Sequence, residues 1–408
     1  PRTSPSKYLA NTATIGKPTR PKPTTTKDTE AQKLRFIRIR PQNGVKNIRV
    51  VIFNWRKEEN VGEFTGLNTG LMYLLELLKT HWKIDNVVMI TSDKMESIES
   101  KGIAGLKKIS SRILGPTNNV TNTLRELRFS KMKCREDKLD GEVVIIDHVR
   151  ALLMASRCLS KFKNKLNVLY VLDYFEEFPL AKSDVIEYFR KLLIKNIKQL
   201  IDKYIDIIIL NSRRDLYIYT ELFPKKTIIY LPTIYLPTDY VPCSHEKPED
   251  KLVINVVYRS NLSDEFVNIL IKHIQKQFDT VLIRSIGKPI PGAQYIGWIP
   301  TRKDFLDYLS EGHAGINFSA VYHYQSGTNV KRYDYALACN VVLTQSLSVT
   351  SEQLPFEIVF VDEYDLLAKL YDKDIQYFIY GGKENLKYTL ELRKKSIKNF
   401  VDTFSKFI

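Results

Sequence analysis

The chain has 408 residues, 44% apolar and 11% aromatic, which suits two domains of ordinary size and is too long for one core. Lys and Arg number 62 against 46 Asp and Glu, a net charge of +16. Ten Lys/Arg and two acids fall in residues 1–40, so half the charge sits in a tail that reads as either a polyanion-binding arm or a solubilising tether.

Cys134, Cys158, Cys243 and Cys339 lie far apart with no CxxC pair. That argues against a zinc ribbon or a disulfide scaffold and predicts reduced, intracellular thiols. No apolar run approaches the roughly 18 residues of a membrane helix. The first residues lack the apolar core of a secretion signal. They are acid-poor and rich in Thr, as a transit segment is, but five prolines before residue 24 oppose the amphipathic helix it needs. Pro1 fits a chain whose initiator Met was removed. The Lys/Ile/Asn/Tyr-rich usage fits an AT-rich viral or microbial genome, so a cytoplasmic or virus-associated, unsecreted protein is expected.

Residues 1–40 read as a disordered basic arm, because TRPKPTTTKDTE buries too little apolar surface to offset ordering. Strands and helices then alternate. Strands are predicted at 47–55, 86–93, 142–149, 167–175, 206–212 and 225–232. Helices are predicted at 71–81, 150–161 and 183–203. Continuous apolar strands separated by helices predict a parallel sheet covered on both faces. PTDYVPCSHEKPED breaks the pattern, which makes 41–236 a first domain and 237–250 a linker. A second α/β unit, 251–384, has predicted strands KLVINVV, DTVLIRSIG, QYIG, HAGINFS, NVVLTQ and EIVFVD with helices between them. A basic amphipathic helix over 385–408 is expected to pack back on the first domain. The fold class is therefore α/β, two doubly wound Rossmann-like domains facing a cleft.

Ligands bind such sheets at the carboxyl ends of their strands. The segment from Gly327 and Thr328 to Lys331 and Asp334 opens a predicted helix there. Its backbone N–H groups and dipole suit a phosphate. Lys331 and Asp334, three apart, share a helical face. A cation there would neutralise a diphosphate and a carboxylate would accept ribose hydroxyls; a solvated surface pair is the plainer alternative. Asp173, ending LYVLD, and Asp147-His148, ending VVIID, put proton acceptors at strand ends. Gly62 and Gly66 lie in the loop after the first strand. The glycine pattern is not GxGxxG and GxxxxGK[ST] is absent, which disfavours dinucleotide binding and a P-loop. His313 and His323, ten apart, have no partner at metal-ligand spacing.

Residues 331–343 resemble the donor-site motif of GT-B glycosyltransferases, Lys-x-x-Glu-Tyr-Leu-Ala-x-Gly-x-Pro-Val-Val. Lys331, Asp334 and Tyr335 stand at its Lys, Glu and Tyr, Ala336 and Leu337 at its small apolar pair, and Val342 and Leu343 at its closing strand. Asp334 replaces Glu, Cys339 replaces Gly and Val341 replaces Pro. The resemblance implies a nucleotide-sugar donor, most simply a UDP-sugar such as UDP-glucose, with Gly327, Thr328, Lys331 and Asp334 on the donor. Ile299 of Gly297-Trp-Ile-Pro300 is its implied base contact. Within the family, the T-even phage DNA β-glucosyltransferase has an Arg-Ser pair on the donor diphosphate and an Asp base. Arg259-Ser260 and Asp173 are the matching positions. Gly62, Gly66, His148 and Glu176 fall on the acceptor side.

The position eight residues before Asp334 is Ser326, not the Glu of many retaining members, so the resemblance implies an inverting hexosyltransferase with Asp173 as base. No metal cofactor is implied. DNA is an acceptor consistent with the charge; protein, glycan and lipid stay open, as does the oligomeric state. The competing reading is an inactive GT-B-like scaffold or nucleic-acid-binding subunit of a nucleoprotein or virion assembly.

Overall fold

The computed structural model describes residues 48–54, 66–91, 141–156, 158–162, 165–171, 184–257, 264–317, 331–345 and 353–408. The arm, residues 1–40, lies outside them.

The first sheet contains β1 (Ile48–Asn54), β2 (Ile84–Thr91), β3 (Val143–Asp147), β4 (Leu166–Val171), β5 (Ile207–Leu210) and β6 (Thr227–Tyr230). Its order is β2-β1-β3-β4-β5-β6, every pair parallel. These strands read as unbroken apolar runs because each feeds two cores. Val51, Phe53, Val144, Ile146, Leu169 and Ile208 enter one, and Val50, Ile52, Val143, Ile145, Val168 and Ile207 the other. Helix α1 (Gly66–His81) covers the second core through Leu71, Leu74 and Leu78, and α2 (His148–Ala155) fills the first. Helices α3 (Asp184–Tyr204) and α4 (Arg213–Leu222) follow.

The second sheet contains β7 (Leu252–Val257), β8 (Val281–Ile286), β9 (Gln294–Gly297), β10 (Ala314–Asn317), β11 (Val341–Gln345) and β12 (Glu357–Phe360). Its order is β12-β11-β10-β7-β8-β9, again all parallel. Helices α5 (Asp264–Ile274), α6 (Arg302–Ser310) and α7 (Lys331–Leu337) connect its strands, and α8 (Glu363–Leu370) follows the last of them. The two doubly wound sheets are the α/β architecture that the alternation predicts. The chain order reverses between β7 and β10, so the second sheet's switch point lies at their carboxyl ends.

Four stretches differ from the sequence reading. Residues 213–222 and 363–370 are helices that the strand-rich neighbourhood hides. The strand expected to run to Val149 ends at Asp147, and His148 already belongs to α2. The last helix, α9 (Ile375–Phe404), starts ten residues earlier than expected, capped by Asp374, which accepts from the Tyr377 N–H at 2.7 Å. Gly381-Gly382 looks like a helix break but marks a close crossing. A Cβ on Gly382 would overlap the Cys339 carbonyl, and one on Gly381 would press on Phe356. The far end of α9 returns to the first sheet, where Phe400 and Phe404 meet Trp82 edge-on at 5.9 and 5.2 Å between centroids.

Candidate donor site

The site grows from one missing side chain. Gly315 of β10 has no Cβ, and any Cβ there would overlap the Tyr335 ring. The ring lies on the strand, fully buried, and its hydroxyl reaches the switch point. There it accepts from the Val257 N–H at 3.1 Å and donates to the Ile316 carbonyl at 3.1 Å. The hydroxyl thus bridges the ends of β7 and β10 just beyond their last paired residues, Val256 and Ile316. Burial raises the Tyr335 pKa, so the group stays a neutral donor.

One turn earlier, Lys331 places Nζ 3.4 Å from the Val257 carbonyl. Burial pushes its ammonium down to about 8, and the nearby Asp334 carboxylate opposes that shift. Lys331 therefore stands at the switch point, where an anion would favour its charged form and raise its pKa.

Asp334 has a partner that the sequence does not show. Arg302, the first residue of α6, donates from Nη2 to its Oδ1 at 2.6 Å. Asp334 is 6% exposed and Arg302 7%. Arg302 also donates to the Tyr235 carbonyl at 3.0 Å, in the segment joining the two sheets. The two residues are 32 apart in sequence, and an Arg after a proline turn carries no signal of this pairing. Lys331 and Asp334 share the helix, but Asp334 spends one carboxylate oxygen on Arg302.

The motif departures have local reasons. Cys339 sits at φ +59, the left-handed position after α7 that a glycine takes without cost. Val341 donates its N–H to the His313 carbonyl at 3.0 Å, a bond proline cannot make. The expectation of reduced thiols is corrected here: Cys339 is joined to Cys243 by a disulfide, and Cys158 is also disulfide-bonded. A pairing across 96 residues leaves no trace in cysteine spacing. The same linker caps the end of α7 twice more. The Tyr240 hydroxyl donates to the Leu337 carbonyl at 3.2 Å, and Lys247 donates to the Cys339 carbonyl and, at 3.2 Å, to Asn340 Oδ1. Burial, with Lys383 nearby, pushes the Lys247 ammonium down to about 7.

Ile299 is half-buried against the cluster that includes Tyr335 and Leu306. Its neighbour Trp298 is exposed, not packed, and follows Gly297 at φ +85. His313 is structural: its Nδ1 accepts from the Val253 N–H at 3.1 Å, and burial lowers its pKa to about 4. His323 lies outside the described residues.

On the first sheet, Thr91, Asn54 and Asp147 end three adjacent strands in register. All three are buried, as is His148, which sits at φ +76 where β3 passes straight into α2. A non-glycine residue in that region stores strain, a property concentrated at functional sites. Gly66 is the first residue of α1. Gly62, Asp173, Glu176, Arg259, Ser260, Gly327 and Thr328 lie outside the described residues.

No family model and no curated protein sequence matches the chain. Solved structures match its fold. Sucrose-phosphate synthase from Thermosynechococcus elongatus superimposes with a TM-score of 0.57 at 12% identity, covering 88% of this chain and 98% of that one. Trehalose-6-phosphate synthase from E. coli, bound with UDP-2-fluoro glucose, gives 0.55 at 12% identity, with 88% and 98% covered. Anabaena HepE, in complex with UDP and glucose, gives 0.51 at 10% identity, with 88% and 100% covered. The first two are GT-B glycosyltransferases, and the two Rossmann-like domains of this chain have the same fold.

Proposed function

We propose that the chain is a glycosyltransferase that moves a sugar from a UDP-sugar to an acceptor hydroxyl. The observation that carries this reading is Lys331: a half-buried ammonium, its pKa lowered by desolvation, at the switch point of a GT-B second sheet, in a segment that resembles the donor motif. The UDP and UDP-sugar bound to the neighbours named above support the donor class. In this reading 41–236 serves the acceptor, 237–250 links, 251–384 holds the donor and 385–408 belongs to the returning helix.

Lys331 and Arg259 neutralise the diphosphate as it departs, with Ser260 donating a hydrogen bond to it, which takes the place of a metal. Asp334 accepts a ribose hydroxyl on the oxygen that Arg302 does not occupy. Gly327 and Thr328 give backbone N–H groups, and Ile299 covers the base. Asp173 takes the proton of the acceptor hydroxyl in an inverting displacement, as the phage resemblance implies. His148 is the second candidate base, and its strained backbone at a strand end favours it. Gly62, Gly66 and Glu176 stay on the acceptor side. The net charge supports a polyanionic acceptor such as DNA.

The test is calorimetric titration with a panel of sugar nucleotides. Micromolar binding of one of them is expected. No binding to any, with tight salt-sensitive binding to DNA, would replace the enzyme with the nucleic-acid-binding scaffold.

A further inference from the structure

Asn317 ends β10, level with Thr344 of β11 and one residue beyond the last β7 pairing. Strand alternation sends Ala314 and Ile316 into one core and puts Gly315 and Asn317 on the opposite face. That is the face on which Tyr335 lies over Gly315, and where Lys331 approaches Val257. Asn317 is 0% exposed, yet neither its Oδ1 nor its Nδ2 has a hydrogen-bond partner among the described residues.

A buried amide without partners is costly, because both groups have given up water and gained nothing. Its neighbours do better. Thr344 Oγ1 donates to Glu357 at 2.5 Å, and the Tyr335 hydroxyl is satisfied twice. The deficit falls on one residue at the switch point.

We infer that Asn317 binds hydroxyls of the sugar carried by the donor. This rests on the reading of the chain as a UDP-sugar transferase. The chemistry separates the sugar from the phosphates. A carboxamide offers donors on Nδ2 and an acceptor on Oδ1, and a hydroxyl is itself both donor and acceptor. A phosphate only accepts and would leave Oδ1 unpaired beside an anion. The cation for the phosphate is Lys331, and the amide takes the neutral, hydroxylated part of the same ligand. A site built to pair a hydroxyl discriminates strongly against ligands that lack one.

The experiment titrates UDP-glucose and UDP into the full-length protein and into its Asn317→Leu and Asn317→Ala variants, with the thermal midpoint of each measured without ligand. Both variants should bind UDP-glucose at least tenfold more weakly and UDP within twofold of the parent. The Leu variant should melt at or above the parent temperature, because it removes an unpaired amide at similar volume. Unchanged UDP-glucose affinity in the folded variants, beside a parent that binds it, overturns the assignment and leaves the proposed function standing. An equal loss for UDP and UDP-glucose also overturns it, because the residue would then act on the nucleotide or through packing. A parent that binds no sugar nucleotide of the panel overturns both.

Discussion

The Arg302 guanidinium meets the Asp334 carboxylate at 2.6 Å with both side chains less than a tenth exposed. Such a pair contributes little over an apolar replacement, but removing one partner strands a buried charge. Arg302→Met should therefore cost about 3–5 kcal/mol of stability. Adding Asp334→Asn should recover part of that loss, since the stranded charge is gone. Urea unfolding of the parent, the two single variants and the double variant checks it. A loss below about 1 kcal/mol in Arg302→Met would mean that the pair is not formed.

Lys331 makes donor binding depend on pH. Burial holds its pKa at about 8, below the ordinary lysine value of 10.5. A diphosphate favours the charged form, so binding above pH 8 requires proton uptake. Affinity for UDP-glucose should fall as pH rises past 8, by up to about tenfold per unit for one proton. Lys331→Arg stays charged and should flatten that dependence. The fold responds with the opposite sign. Between pH 8 and 10.5 the unfolded chain binds more protons at this residue, so its contribution to stability rises with pH. Titrations at pH 7, 8 and 9 on both proteins are the check, and parallel pH profiles would remove Lys331 from the donor.

The architecture was legible because its signals are local. Strands such as Val143–Asp147 and Ile207–Leu210 are buried on both faces, and burial of that kind writes an unbroken apolar run. The 331–343 segment was legible for the same reason: helix, turn and strand are contiguous. The interactions that complete the site join distant positions. Arg302 to Asp334, Cys243 to Cys339 and Tyr335 over Gly315 each depend on where elements meet, which no periodicity records. A glycine pair weakens an isolated helix, whereas Gly381-Gly382 lets α9 pass close to the turn after α7.

That crossing should tolerate no side chain. A Cβ at Gly382 would overlap backbone, the Cys339 carbonyl carbon and oxygen, which cannot rotate away. Gly382→Ala should destabilise by about 3 kcal/mol or more, at the upper end of overpacking costs. Gly292→Ala is the contrasting control, because there the neighbour is the end of the Ile271 side chain and the cost should come from its φ of +80. Denaturant midpoints of the two variants rank them, and equal midpoints would show that α9 does not cross so closely.

The basic arm can be separated from the donor site by salt. Its ten Lys/Arg and two acids make any affinity it gives for DNA electrostatic. The slope of log K against log salt scales with the phosphates neutralised, at about 0.9 for each. Deleting residues 1–40 should flatten that slope and leave UDP-glucose binding unchanged. An identical slope in the truncated protein would make the arm a tether.

Cys339 carries two demands with opposite consequences. Its φ of +59 costs a non-glycine residue about 1–2 kcal/mol, and its disulfide to Cys243 returns about 2–4 kcal/mol, the usual contribution of such a cross-link. Cys339→Gly removes both. In the otherwise unchanged protein under oxidising conditions the missing cross-link dominates, and the variant should be less stable. In a Cys243→Ser background the cross-link is already gone. There the same substitution relieves the left-handed backbone and should stabilise by about 1 kcal/mol, the gain reduced by glycine's greater freedom when unfolded. One substitution should thus change sign between two backgrounds. Urea midpoints of the four proteins without reductant measure both effects. Loss of stability in both backgrounds would show that the left-handed turn is not strained. A gain in both would show that the disulfide contributes nothing to the fold.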